Sequence, residues 1–295
     1  MRKHYALVFL GLLSCSPKQE LQNILGDSWA VIYGSDTRQE VVLDESVAAA
    51  ATAMILTADD LLLNKSGKDY VIKSLPLRQQ YPLCEDEKFL DQPAVGNCSG
   101  VLIAPNKVLT ASHCFRATDS CAQSFFIFAW NLKKAQEASL SVSEVFKCKT
   151  IISHSLNTKK GIDYAVVELD RPVPGVAPVP IASSQNLKVG EAVVSYSHPL
   201  GLPLKRDIGK VLETNSASGF LKVAVDTFNG SSGSPLFNSQ GQLIGILSSG
   251  MDDFLEDDIY RVQSEGGCIN FNRCKTGTCF GESFSKVYDI MPELR

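Results

Sequence analysis

An all-β fold, either an antiparallel barrel or a sandwich, is what this sequence predicts, and three observations carry it. The apolar runs are short and rich in Val, Ile, Phe and Tyr, as in SFFIFAWNL, DYAVVELD, EAVVSYS, KVAVDTF and GQLIGILSSG. Turn signals punctuate them, among them APNK at 104–107 and NSQGQ at 238–242. No alternation of strands with long helices is visible, which argues against an α/β fold. Helix is expected in two places only, near 43–63 and at the C-terminal end, SKVYDIMPEL.

A chain of 295 residues, 44% hydrophobic, buries a real core as one large domain or two small ones. The net charge of −4 without clustered Lys and Arg gives no footprint for nucleic acid. The first residues, MRKHYALVFLGLLSCSPKQE, read as an export signal: Arg2 and Lys3, an apolar run from Tyr5 to Leu13, then small residues and Cys15. That run falls well short of the roughly 20 residues a membrane span needs. LLSC also resembles the lipobox of bacterial lipoproteins, which makes Cys15 a lipidation candidate; Leu12 and Ser14 fit the pattern, and Leu13 is less usual there. The alternative is a plain secretory signal in which Cys15 is incidental. Beyond Cys15 there are eight cysteines, Cys84, Cys98, Cys114, Cys121, Cys148, Cys268, Cys274 and Cys279, and an even number in an exported chain points to disulfides. The spacing of the last three does not suit zinc, and no histidine lies near them, so no metal and no cofactor are expected.

The stretch DTFNGSSGSPLF, residues 226–237, crowds serines between glycines and a proline. A serine hydroxyl becomes a useful nucleophile only when a base takes its proton and a carboxylate orients that base. Four histidines are available. His4 lies in the leader; His198, in SHPLGLP, suits a solvent-facing or capping role in a turn; His154 ends an apolar strand as a surface residue. His113 lies in LTASHC, directly after the apolar run that begins at Cys98. Cys98 and Cys114 bracket two apolar runs and the APNK turn, the layout of a hairpin whose ends a disulfide can tie. Asp163 heads the apolar strand DYAVVEL, where its ordinary role is to cap the strand; Asp170, beside Arg171 and Pro172, fits a turn.

CSGVLIAPNKVLTASHC, DYAVVEL and NGSSGSPLF together resemble the three signature regions of chymotrypsin-fold serine proteases, in the chain order His, Asp, Ser. The form GSSGSP and the segment AVIYGSDTR (30–38) are similar to the bacterial V8-like, glutamyl endopeptidase branch. The resemblance implies two six-stranded antiparallel β-barrels with a short C-terminal helix, the domain running from 31 to 295 with the halves meeting near 165–185. It implies Ser232 as nucleophile, His113 as general base and Asp163 as its carboxylate, with the backbone N–H groups of Gly230 and Ser232 as the oxyanion hole. It further implies a Cys98–Cys114 disulfide and a substrate site formed by Asp226, Thr227, Ser248, Ser249 and Gly250. An α/β-hydrolase is excluded, because that fold wants G-x-S-x-G and a histidine after the serine.

The chain also departs from its relatives. Ser231 stands where trypsin-like zymogens carry an activating aspartate, so trimming near Val31-Ile32 is expected instead, with 16–30 as a pro-segment. Leu247 replaces the histidine that helps glutamyl enzymes bind a substrate carboxylate, while Thr227 matches their pocket threonine. Asp226 takes the position of the trypsin pocket floor, where a carboxylate favours Arg or Lys before the cut; the alternative gives it a structural hydrogen bond. Acids crowd MDDFLEDDIYRV, either as a solvated face or as steering for basic substrates. GGCINFNRCKTGTC (266–279) reads as a disulfide-bearing loop. The expected protein is therefore an exported, monomeric serine endopeptidase of the bacterial periplasm, envelope or exterior, acting on proteins or peptides and meeting the membrane only through a lipid on Cys15. The rival expectation is a catalytically silent relative that uses the fold for binding or structure.

Overall fold

The computed structural model describes residues 32–42, 46–115, 120–137, 139–182, 186–274, 279–290 and 292. The leader with Cys15, the segment 16–30 and Val31 lie outside the described residues. Twelve strands close into two barrels. The first is built from β1 (Thr52–Thr57), β2 (Cys98–Ala104), β3 (Lys107–Thr110), β4 (Ser124–Phe128), β5 (Val145–Asn157) and β6 (Ile162–Leu169). They pair antiparallel in the order β5-β6-β3-β2-β1-β4, and β4 closes on β5 with Ile127 opposite Val145. The second holds β7 (Ala192–Ser197), β8 (Lys205–Glu213), β9 (Leu221–Ala224), β10 (Pro235–Phe237), β11 (Leu243–Ser249) and β12 (Glu282–Lys286). Its order is β8-β7-β10-β11-β12-β9, closed where Ala224 faces Lys210 across β8 and β9. The short strand Gln39–Glu40 adds to the outside of β8. This is the two-barrel architecture of the chymotrypsin fold. Closure leaves the barrel strands no free edge, which removes the usual hazard of unpaired strand N–H and C=O groups.

The barrels share a core. Leu102, Phe126, Phe146 and Val167 of the first belong to one buried cluster with Tyr196, Phe237, Leu243 and Ile246 of the second. β6 is buried along most of its length because one face fills its own barrel and the other meets the neighbour, which explains the nearly continuous apolar run YAVV.

Helices are few and short: α1 (Val47–Ala51), α2 (Leu77–Gln80), α3 (Leu132–Glu137), α4 (Glu256–Glu265) and α5 (Val287–Ile290). None of the described helices is long and apolar enough to cross a membrane. The helix expected over 43–63 shrinks to α1. Thr52 ends it and begins β1, which pairs with β2 on one side and β4 on the other, Ala53 facing both Gly100 and Phe128. Two ladders of hydrogen bonds override the helix preference of an alanine-rich stretch. At the C-terminal end α5 does form, burying Val287 and Ile290 in the shared core, while Ser285 and Lys286 belong to β12.

α4 falls inside the acidic stretch. Its first turn holds Glu256, Asp257 and Asp258, which suit the positive end of a helix dipole, and Gly266 with φ 78° ends it. Among the described residues four disulfides cross-link the chain: Cys84–Cys268, Cys98–Cys114, Cys121–Cys148 and Cys274–Cys279. Such bonds persist in oxidising compartments, of the kind that extracellular proteins meet.

Candidate active site

β2 and β3 form the hairpin that the APNK turn announced, and the chain then enters a tight turn, Ser112–Phe115, that carries His113. The Cys98–Cys114 disulfide ties the two ends of that hairpin. Its sulfurs lie within 4.8 Å of a ring nitrogen of His113 and, being bonded to each other, are not metal ligands. The imidazole is partly exposed on one side and engaged on the other: Nδ1 lies 2.6 Å from Asp163 Oδ2. That pairing leaves Nε2 as the nitrogen facing the cleft.

Asp163, 1% exposed, is the second residue of β6. Its carboxylate collects three donors. Beyond the ring, the backbone N–H of His113 donates to Oδ1 at 3.2 Å and the Ser248 hydroxyl donates to Oδ2 at 2.7 Å. Ser285 on β12 holds its backbone from behind, accepting from Asp163 N at 2.8 Å. Burial opposes the charge, but the bond and charge of His113, helped by Ser248, outweigh it and hold the carboxyl below the ordinary range. An ionised carboxylate so bonded fixes the orientation of the ring and favours its protonated form.

The serine-rich stretch connects β9 to β10 across the cleft. Gly233 lies against the histidine hairpin so closely that a Cβ there would sit 2.1 Å from Thr110 Oγ1 and 2.3 Å from Ser99 O. Ser99 N donates to Ser232 O at 2.7 Å, so the loop is bonded to β2 beside the disulfide. These contacts bring Ser232 and His113 to the same corner, although the Ser232 hydroxyl has no hydrogen bond among the described residues. Catalytic hydrogen bonds of this kind commonly tighten only when substrate arrives. Gly230 has φ 88°, and a Cβ on it would meet His198 O at 2.6 Å, so glycine is required. Neither Gly230 N–H nor Ser232 N–H donates within the described chain, so two backbone donors stand free beside the serine.

The three serines separate. Ser231 is buried and its hydroxyl accepts from Phe228 N at 3.2 Å. Ser234 is buried, its N–H bonded to Ser231 O at 2.9 Å. Ser232 alone is partly exposed.

The remaining site candidates divide likewise. Asp226 is buried and its carboxylate holds backbone: Oδ1 accepts from Tyr33 N at 2.7 Å and Oδ2 from Thr37 N at 2.9 Å. Of the two sequence readings the structure gives it the structural one, a clamp on the 33–37 segment. Arg38 then lays its guanidinium over Phe228, 4.1 Å from the ring centroid, pressing the segment on the back of the serine loop. Thr227 is buried, its hydroxyl donating to Glu282 on β12. Glu282 is 0% exposed and also accepts from Tyr33 Oη at 3.2 Å; burial pushes its carboxyl up to about 8. Ser249 is exposed and Gly250 half-buried at the end of β11, while Ser248 turns inward to Asp163. The acidic run is not one solvated face, for Asp253 is buried and accepts from Asn229 N at 3.2 Å. His198 is buried too, which rules out the solvent-facing one of its two expected roles and leaves the capping one: it stands at the N-cap of Pro199–Gly201, its Nδ1 lies 3.0 Å from Leu202 O, and burial lowers its pKa to about 3. His154 is exposed, as expected.

Ser99, Ser285 and Asp253 escaped the sequence reading as partners of this site, and Ser248, expected in the substrate site, donates to Asp163. Each acts across the chain, Ser248 on Asp163 at a separation of 85 residues and Ser99 on Gly230 at 131. No local spacing records such partners.

The sequence from 98 to 246 matches the model of the trypsin-like peptidase domain, and the chain belongs to that family of serine endopeptidases. It is similar to a trypsin of Simulium vittatum, 27% identical over 186 residues, 53% of this chain and 72% of that one. Exfoliative toxin A of Staphylococcus aureus is 28% identical over 160 residues, 52% of this chain and 56% of the toxin. A glutamyl endopeptidase of Staphylococcus epidermidis is 31% identical over 88 residues, 29% of this chain and 30% of the enzyme. The chain thus spans less than two thirds of the toxin and of the glutamyl enzyme. Among solved structures, a Glu endopeptidase in complex with MPD superposes with a TM-score of 0.54 at 19% identity, covering 90% of this chain and 98% of that one. A human heparin binding protein gives 0.53 at 13% identity, covering 89% and 95%. These two share the fold.

Proposed function

We propose that the protein is an exported endopeptidase that cuts peptide bonds through an acyl-enzyme, with Ser232 as nucleophile, His113 as general base and then acid, and Asp163 as the orienting carboxylate. The observation that carries it is the 2.6 Å bond from His113 Nδ1 to an Asp163 made anionic by its donors, in a corner where Ser232 and two free N–H groups converge. His113 Nε2 takes the serine proton as Oγ attacks the carbonyl carbon, and the oxyanion settles between Gly230 N–H and Ser232 N–H. The ring then gives the proton to the leaving amine, and water repeats the sequence on the ester. Ser249 and Gly250, at the free end of β11, offer backbone groups to an extended substrate.

A preference for basic side chains before the cut fits the surroundings better than one for acids. Leu247 supplies no cation, and Asp252, Glu256 and Asp257 are exposed beyond β11. Asp226 takes no part, since both its oxygens hold backbone. Removal of 16–30 would leave a mature chain starting near Val31, free of any lipid on Cys15 and active as a monomer. Peptides differing only at the residue before the cut test the specificity, with Ser232→Ala as control. Cleavage after Arg or Lys is expected; cleavage after Glu overturns the basic preference, and hydrolysis surviving in Ser232→Ala overturns the mechanism.

A further inference from the structure

The oxyanion donors are backbone groups, so what fixes them is whatever fixes their peptide planes. In a trans peptide the C=O and N–H point opposite ways, so a pinned carbonyl aims the N–H behind it. Gly230 N–H shares a plane with Asn229 C=O, which accepts from Leu200 N at 2.5 Å. Ser232 N–H shares a plane with Ser231 C=O, which accepts from Ser234 N at 2.9 Å. Between them lies the Gly230–Ser231 plane, on which both donor planes hinge. Its carbonyl accepts from the hydroxyl of Ser99 at 2.9 Å, and the carbonyl two residues on, Ser232 O, accepts from Ser99 N at 2.7 Å.

Ser99 is 0% exposed, and its own hydroxyl is oriented: Oγ accepts from His198 N at 3.1 Å, which leaves its proton for Gly230 O. Its backbone is fixed in turn, Ser99 O accepting from Thr110 Oγ1 at 2.6 Å. The same His198 turn supplies the Leu200 donor, and does so with Leu200 at φ 55°, a left-handed conformation that a leucine adopts only when its surroundings impose it. Leu200 is buried in one apolar cluster with Leu202 and Phe228. A strained turn and a buried serine on the other barrel thus converge on two consecutive peptide planes.

The geometry points to Ser99 as a positioning residue of the oxyanion hole, its hydroxyl holding the Gly230–Ser231 plane so that the two free N–H groups stay aimed at the cleft. This rests on the catalytic reading above. Ser99 touches no substrate; it acts through Gly230. A donor prealigned before the charge develops costs no reorganisation at the moment of reaction, and that is what the hydroxyl supplies.

The test is burst kinetics with p-nitrophenyl acetate, which needs no side-chain specificity, together with the affinity for phenylboronic acid, whose tetrahedral adduct places an oxygen in the hole. Ser99→Ala is compared with wild type and with Thr52→Val, which deletes another fully buried hydroxyl, one that donates to Ala48 O at 2.8 Å away from the cleft. Ser99→Gly, which also keeps the backbone N–H, serves if the alanine variant does not fold. In the Ser99 variant the acylation rate constant is expected to fall about tenfold to a hundredfold, with a matching loss of boronate affinity. The saturation constant for the ester should stay within about threefold of wild type, since only transition-state stabilisation is lost. Acylation within about twofold of wild type, or an equal fall in Thr52→Val, overturns the inference alone. A wild type that shows no burst overturns the catalytic reading and this inference with it.

Discussion

Asp163 and Asp226 are nearly equal in burial, 1% and 2% exposed, and each binds a backbone N–H through its carboxylate, yet their carboxyls are driven in opposite directions. At Asp163 burial is outweighed by His113 and the Ser248 hydroxyl, and the pKa falls. At Asp226 burial is reinforced by the neighbouring carboxylate of Asp207, and the pKa rises to about 6 despite the Thr37 and Tyr33 donors. The charge of one neighbour decides it. The first aspartate is arranged to stay charged beside a base; the second holds a segment in place and faces another acid. Identical residues, similarly buried, are thus driven to opposite charge preferences by their neighbours.

The largest effects lie on the Asp163 side. Ser232→Ala should lower turnover by about 10⁶ without unfolding the chain. Peptide hydrolysis and circular dichroism on the same preparation check both halves of that statement. Asp163→Asn should cost about 10⁴ in kcat, because an amide next to Nδ1 no longer holds the ring in the useful tautomer. An Asp163→Asn enzyme within tenfold of wild type would erase the contrast between the two aspartates.

Asp226→Asn probes the other side. The amide keeps one acceptor and turns an NH₂ toward a backbone donor, so a loss of about 1–3 kcal/mol in urea unfolding is expected. Its effect on kcat should be far smaller than that of Asp163→Asn, and the ratio of Arg to Glu cleavage should not move. A selective loss of Arg cleavage would return Asp226 to the substrate pocket.

The smallest effect is a slope. A carboxyl raised in the fold binds its proton more tightly there than in the unfolded chain, so its stabilising contribution is full at low pH and is lost as pH rises through the folded value. For Asp226 that window runs from 3.8 to about 6, and for Glu282 from 4.5 to about 8. Asp163, held below its ordinary value, contributes the opposite way and loses its share only on acidification. Unfolding of the Ser232→Ala protein should therefore show stability falling between pH 5 and 8, and Glu282→Gln should flatten that fall. Parallel profiles would remove Glu282 as its source.

Much of this was legible in the sequence, and the limits have physical causes. The hairpin between Cys98 and Cys114 and the strand beginning beside Asp163 are local patterns, and both form in the fold. The 43–63 helix was overread because alanine favours helix while β1 is decided by partners far along the chain. α4 went unseen because its acids hide a short apolar face of Ile259 and Val262. The roles of Ser99, Ser248 and Asp253 depend on contacts between distant segments, and small polar residues carry no periodic signal of them.

The most direct test of the central claim is the site of fluorophosphonate labelling, located by peptide mass spectrometry in the wild type and in His113→Ala. Covalent modification of Ser232 in the wild type, slowed by several orders of magnitude in the variant, is the predicted result. Modification at another serine, or equal labelling without His113, would contradict it.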